Sequence, residues 1–305
     1  MIEIYFKTIK DKKYKRVKEM RAGAWISVEN ATSEDLEQVA QITGLSTHDL
    51  QDTIDNFEVP RIEHQEEGIL LYTRTPDNIA GLHTQILTII TTDKHLITIS
   101  PYKNKIIDYI LEQKTRISTT QKSKLLLRIL IRITQEYTLQ VKKLRNEVAS
   151  RTKENYDADT EDFIFLAKSE EILNQYLAAL IPMNNVFEAI RSGKYVSLYA
   201  QDEDLVQDIV IGIKQSADIC TVNLRNIISI RDSYQVIFTN NLNKVIKLLT
   251  ALTVIVTIPT MVASLYGMNV NLPFAERSWA FIGVVLSALL FSLTFLFIFY
   301  RKKWL

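Results

Sequence analysis

From Leu248 to Ala275 the chain carries no charged residue, a run longer than the ~20 apolar residues that cross a bilayer as a helix. The run is not evenly oily. Alternating steps of three and four pick out Asn243, Ile246, Thr250, Thr253, Thr257, Thr260, Ser264 and Gly267, a spacing that puts them along one face of a helix. An otherwise apolar helix therefore carries a narrow stripe of hydroxyls and an amide. Polar groups at membrane depth face a bundle interior or a water-filled path. Threonine hydroxyls can also bond back to their own helix or join it to a neighbour, but so many positions in one register favour the water-lined path.

A second uncharged run, Trp279 to Tyr300, has only Ser287, Ser292 and Thr294 as small polar side chains and suits lipid over much of its surface. Arg301, Lys302 and Lys303 follow it, Lys244 and Lys247 precede the first span, and the loop between the spans has only Glu276 and Arg277. The positive-inside rule then puts both termini in the cytoplasm and the loop outside. The start, MIEIYFKTIKDKK, reads as lacking the ~7–15-residue apolar core of a signal peptide. The expectation is a multi-pass protein of the cell membrane. Its net charge of +1 hides a segregation, since nearly all charged residues precede Leu248. One cysteine, Cys220, excludes an intrachain disulfide and a cysteine-based metal cluster.

Residues 1–115 read as a mixed α/β domain. Ala24 to Val28 is a short strand. Thr32 with Asp35, and Ser46 with Asp49, are helix starts, and Gly44 is a stop. Ile62 to Thr73, Thr84 to Thr91 and Leu96 to Ser100 are β-branched runs between turn residues, with a hairpin at Asp93-Lys94. Residues 116–200 are helical, in two long stretches separated by a polar break at 155–159, and Pro182 is expected to kink or interrupt the second. From about Asp204 nothing breaks the helical pattern until Pro259. Some 60 residues at 1.5 Å rise would span on the order of 90 Å, and such a helix needs neighbours to be stable. The segments are thus 201–247 as the cytoplasmic stalk, 248–268 as the first span, 269–278 as the outer loop, 279–300 as the second span and 301–305 as a basic tail.

The polar stripe ends at Tyr266-Gly267-Met268-Asn269. In this position, closing the first of two C-terminal membrane helices, that motif resembles the CorA family of divalent-cation transporters, and Pro60-Arg-Ile-Glu63 and Leu96-Ile-Thr-Ile99 resemble stretches of its cytoplasmic domain. The resemblance implies a funnel-shaped homopentamer with an N-terminal α/β domain, a long helical stalk and two membrane helices. It puts the outer ion site at Gly267, Met268 and Asn269, and pore-lining positions at Thr260, Thr257, Leu249, Ile246, Asn243 and Asp232. The stripe itself adds Thr250 and Thr253, and prefers Thr250 where the resemblance points to Leu249. Ile246 and Leu249 would form an apolar constriction able to gate by dewetting. Thr257 stands where the family often has a bulky apolar residue. The resemblance also implies that Asp208 binds regulatory Mg²⁺ between subunits, so that high internal Mg²⁺ holds the funnel closed; its partner carboxylate belongs in the α/β domain. Asp202, Glu203 and Asp204 are accounted for by helix N-terminal electrostatics.

Mg²⁺ gives up its water reluctantly, so a pore that passes it should hold its hydration shell, a task that suits the amide of Asn269. The expected function is passive, potential-driven Mg²⁺ uptake gated by intracellular Mg²⁺. The expected partners are further copies of the chain, the bilayer and divalent cations. Members that carry Mg²⁺ have an acidic outer loop, whereas here Pro273 is followed by phenylalanine, with Glu276 further on. Zn²⁺ or Co²⁺/Ni²⁺ transport therefore stays an alternative. A membrane-anchored scaffold is a second one, though an anchor has no use for the stripe. His48, His64, His83 and His95 show no metal-ligand spacing, the basic run Lys10 to Arg21 reads as a solvated hairpin rather than a nucleic-acid surface, and no enzyme motif or organic-cofactor fingerprint is present.

Overall fold

The computed structural model describes residues 1–79, 81–154, 160–195, 199–269, 277 and 279–304. The chain divides into two compact units, Met1–Ser229 and Ile230–Leu305.

The first unit is built on a seven-stranded sheet of order β2-β1-β3-β7-β6-β5-β4. Its strands are β1 (Ile2–Phe6), β2 (Lys15–Val17), β3 (Trp25–Val28), β4 (Arg61–Gln65), β5 (Gly68–Ile79), β6 (Leu82–Thr92) and β7 (Leu96–Ile99). Only β3 and β7 pair in parallel, and the other neighbours are antiparallel. The strands alternate. Leu70, Tyr72, Ile86 and Ile90 join Ile26, Val28, Ile97 and Ile99 in a core beneath Leu36 and Val39 of α1 (Ser33–Thr43) and Leu50 of α2 (Thr47–Gln51). Leu71, Leu87 and Ile89, one residue out of step, are buried as well, and alternation sends them to the opposite face. There α4 (Lys122–Glu154) and α5 (Thr160–Arg191) pack on the sheet, and α3 (Lys105–Glu112) packs on α4. Both sheet faces are covered, so β5 is buried from Leu70 to Pro76 and β6 from Thr84 to Ile90, polar residues such as Thr73, Arg74, Gln85 and Thr88 included.

Local chemistry explains the boundaries. Thr32 accepts from the Asp35 amide while Asp35 accepts from the Thr32 amide, a reciprocal cap. Gly44 ends α1 at φ +84°, where a side chain would be strained. The run from Ile62 to Thr73 is two strands rather than one, joined by a tight turn at Glu66-Glu67. Gly68 sits where a Cβ would come within 2.5 Å of the Thr91 carbonyl. The second of these strands continues through Pro76, with a register shift between Pro76 and Ile79, the kind of irregularity at which a sheet tolerates proline. Helix α5 runs through Pro182 without interruption. The expected break at 155–159 lies outside the described residues.

Arg61, at the edge of the sheet, joins three carboxylates, with Asp52 at 2.8 Å, Glu63 at 2.6 Å and Glu58 also bonded. Its guanidinium lies 4.0 Å over the Tyr72 ring. Partial burial works against its charge, but the three carboxylates outweigh that and hold its pKa above the ordinary arginine value. The stretch Pro60 to Glu63 is thus a structural clamp.

The long helix α6 runs from Ala200 to Tyr266, starting a turn before Asp204 and continuing through Pro259 from the first unit into the second. In the first unit it meets α4 at Gly212, where a Cβ would stand 2.8 Å from Thr134 Cγ2, and at Ser216, whose hydroxyl is 2.8 Å from that of Thr138. The second unit consists of the rest of α6 and of α7 (Ala280–Arg301).

Candidate ion path and regulatory site

Helices α6 and α7 are long and apolar enough to cross a membrane. Within the second unit they run antiparallel. Tyr266 and Gly267 share an apolar cavity of about 690 Å³ with Ala280 and Phe281, and further along Ser292 Oγ donates to the Ile255 carbonyl at 3.3 Å. Ala251 is fully buried against this packing, and Ile255, Ile258 and Val262 are half-buried. These positions define the side of α6 turned to α7.

The polar stripe lies elsewhere. At 100° per residue the line of Thr250, Thr253, Thr257 and Thr260 is about 150° around the helix from the α7-facing line. All four threonines are exposed, as are Asn243, Ile246, Leu249, Ser264 and Asp232. The stripe therefore does not serve to join α6 to α7. Each hydroxyl donates to a carbonyl one turn back: Thr250 to Ile246 at 2.8 Å, Thr253 to Leu249 at 2.8 Å, Thr257 to Thr253 at 2.7 Å and Thr260 to Val256 at 2.9 Å. Back-bonding and a polar face coexist, because a hydroxyl that donates its hydrogen keeps its lone pairs. Leu249 and Thr250 flank the line through Ile246 on either side. Asp232 lies further back on α6, 3.9 Å from Arg231 Nε.

At the far end the Gly267 amide donates to Ala263 and Ser264, and the Met268 amide to Leu265, which satisfies those three carbonyls. Gly267 is not among the described glycines with positive φ, and so it is not the left-handed stop that commonly ends a helix. A Cβ there would meet its nearest atom at 3.4 Å, an ordinary contact. Among the described residues nothing requires glycine at this position. Met268 and Asn269 are exposed. Glu276 lies outside the described residues.

Asp208, in the first unit, is exposed on α6 beside a groove of about 540 Å³ between α4 and α6. The charged residues sharing the groove are Arg128 and Lys142, with Thr134, Gln135 and Thr138 between them. Among the described residues no second carboxylate lines it, and no cluster of three or more metal-ligating side chains occurs. The structure brings the stripe residues together on one face, but it does not give Asp208 a companion.

A model of the family described as CorA-like Mg2+ transporter protein matches residues 21–302. The chain belongs to this family. It is similar to the cobalt/magnesium transport protein CorA of Methanocaldococcus jannaschii, at 26% identity over 296 residues that cover 92% of this chain and 91% of that protein. Among solved structures it is similar to the complete CorA magnesium transporter of the same organism, with a TM-score of 0.82, 22% identity and coverage of 100% of this chain and 99% of that one. It is also similar to the full-length CmaX protein, with a TM-score of 0.75, 14% identity and coverage of 99% and 97%. The fold class is thereby the family's: a soluble N-terminal domain with a mixed sheet, a long helix and two C-terminal apolar helices in a membrane protein. The family is one of transporters, not enzymes.

Spacing alone did not reveal two contacts. One is the Gly212–Thr134 approach. The other is the bond from Ser292 to Ile255, whose only trace in the sequence is Pro259, four residues beyond Ile255.

Proposed function

We propose that the chain assembles as a homopentamer in the cell membrane, with both termini in the cytoplasm, and forms a channel for hydrated divalent cations. Mg²⁺ is the principal cargo and enters down the membrane potential, which contributes about 2.3 kcal/mol per charge per 100 mV. The observation that carries this reading is the line of threonines, exposed and turned away from α7, that leads to Asn269. One helix cannot enclose a path, so the line needs copies of itself; that there are five is the family's pattern. Gly267, Met268 and Asn269 form the outer ring that holds the hydrated ion. Ile246 and Leu249 form the constriction, and Asn243 and Asp232 receive the ion below it. Asp208 binds regulatory Mg²⁺ with a carboxylate from a neighbouring copy, which fits its lack of any acidic companion in its own groove.

The test is divalent uptake by the purified protein in liposomes with internal indicators, comparing Mg²⁺, Co²⁺ and Zn²⁺ in wild type and Asn269→Ala. Potential-driven Mg²⁺ entry that Asn269→Ala abolishes supports the reading. Zn²⁺ or Co²⁺ entry without Mg²⁺ entry moves the cargo to the alternative that the weakly acidic outer loop keeps open. A folded oligomer that passes no cation refutes the channel.

A further inference from the structure

Pro259 lies inside α6 and has no backbone N–H, so the carbonyl four residues back loses its helical donor and is pushed outward by the proline ring. That carbonyl belongs to Ile255. In hydrocarbon no water can replace the missing donor, and the group has to be satisfied by protein. Ser292 of α7 does this, its Oγ lying 3.3 Å from the Ile255 oxygen. The other two aliphatic hydroxyls of α7 behave differently, since Ser287 donates to Val284 and Thr294 to Leu290 within their own helix.

We propose that Ser292 is a positioning residue that fixes the rotation of α6 about its own axis, by holding the carbonyl that Pro259 frees. The cavity that the two helices share toward one end is lined by apolar residues and Gly267 apart from the Tyr266 hydroxyl, and the small residues Ala251 and Ala288 are buried. Smooth apolar surfaces slide and turn on one another at little cost, whereas a hydrogen bond in an apolar medium has one direction. The Ile255 carbonyl held toward α7 leaves Thr250, Thr253, Thr257 and Thr260 about 150° away from it. Loss of the hydroxyl removes the one polar bond seen between α6 and α7 among the described residues, and the stripe turns toward apolar surroundings. This deepens the proposed channel reading, on which only its transport readout rests.

The experiment uses the assembled full-length protein in liposomes. A cysteine is placed either on the stripe (Thr253→Cys) or on the α7-facing side (Ile258→Cys), and labelling by a water-soluble thiosulfonate is timed. The native Cys220 is buried and stays silent. With Ser292 intact, position 253 should label much faster than 258. Ser292→Ala should shrink that ratio by about three- to twenty-fold, the equilibrium shift equivalent to interhelical hydrogen bonds measured in membrane bundles. Ser292→Thr should keep the ratio. Pro259→Ala returns an N–H to Ile255, so adding Ser292→Ala to it should change nothing further. Cation flux should follow the same order. An unchanged ratio in Ser292→Ala, or an effect just as large in the Pro259→Ala background, overturns the proposal. If Ser292→Ala alone does not assemble, the comparison of Pro259→Ala with and without Ser292→Ala decides. The expected ratios in a protein that carries no cation would uphold the rotational role and reject the channel.

Discussion

Gly212 offers the most direct test of how α6 is held against the soluble domain. An added Cβ would lie 2.8 Å from Thr134 Cγ2, where carbon atoms normally sit about 3.5–4.0 Å apart. Thr134 is buried and its hydroxyl donates to the Leu130 carbonyl at 3.0 Å, so it cannot turn aside without losing that bond. Overpacking of this kind costs about 1–3 kcal/mol, and replacing a mid-helix glycine by alanine returns about 1 kcal/mol. Gly212→Ala should therefore destabilise by about 1 kcal/mol net. In a Thr134→Ser background the obstructing methyl is gone and the hydroxyl remains, so the same substitution should stabilise by about 1 kcal/mol. Cys220, two turns further along α6, supplies the assay. It is the only cysteine, it is fully buried, and burial pushes its thiol up to about 12. It can therefore be alkylated only when the helices part. A change of 1 kcal/mol is about fivefold in that opening. Alkylation of the detergent-solubilised protein should run about fivefold faster in Gly212→Ala than in wild type. It should run about fivefold slower in the double variant than in Thr134→Ser alone. The same direction of change in both backgrounds would refute the reasoning.

Three further outcomes are expected. Asp208→Ala should leave basal uptake in place and remove inhibition by internal Mg²⁺, read by loading liposomes with increasing Mg²⁺; inhibition unchanged would remove Asp208 from regulation. Gly267→Ala should fold and assemble normally, because its Cβ meets only ordinary contacts among the described residues, and yet lose most transport through crowding between copies. A collapse of stability instead would put the requirement for glycine inside the chain. Burial holds the His95 pKa below its usual value, with Lys122 and Lys94 acting in the same direction against the bond its ring donates to the Ala24 carbonyl. The unfolded chain therefore binds the proton more readily near pH 6, so His95 contributes stability above about pH 6.5 that is lost as the pH falls through its folded value. Thermal unfolding at pH 7.5 and 5.5 should show this loss, and His95→Gln should flatten it.

Features that depend on neighbours in sequence were legible beforehand. The reciprocal cap of Thr32 and Asp35, the stop at Gly44, the turn at Asp93-Lys94 and the two apolar spans each rest on a few adjacent residues. The stripe was legible for the same reason, since helical spacing is a local property. Contacts made at a distance were not. The turn at Glu66-Glu67 has neither proline nor asparagine to announce it, and the glycine beside it is explained by the Thr91 carbonyl on another strand. β5 continues through Pro76 because an irregular register accommodates it, and that register belongs to the partner strand. Ser292 read as one hydroxyl among several on a lipid-facing helix until the carbonyl freed by Pro259 was set opposite it. Asp208 stays without its companion because no second carboxylate among the described residues lines its groove.

The back-bonded threonines also bear on ion sign. Each has given its one hydrogen to a carbonyl of α6, and a hydroxyl that has done so offers only lone pairs outward. The line of four threonines is thus an acceptor surface without a formal charge. Water around a cation points its hydrogens away from the ion and meets such a surface with donors. Water around an anion spends one hydrogen on the ion and turns its oxygen and a single remaining hydrogen outward, so it meets such a surface with fewer donors. In the proposed channel, a path lined this way would favour a hydrated metal over chloride before any carboxylate is reached.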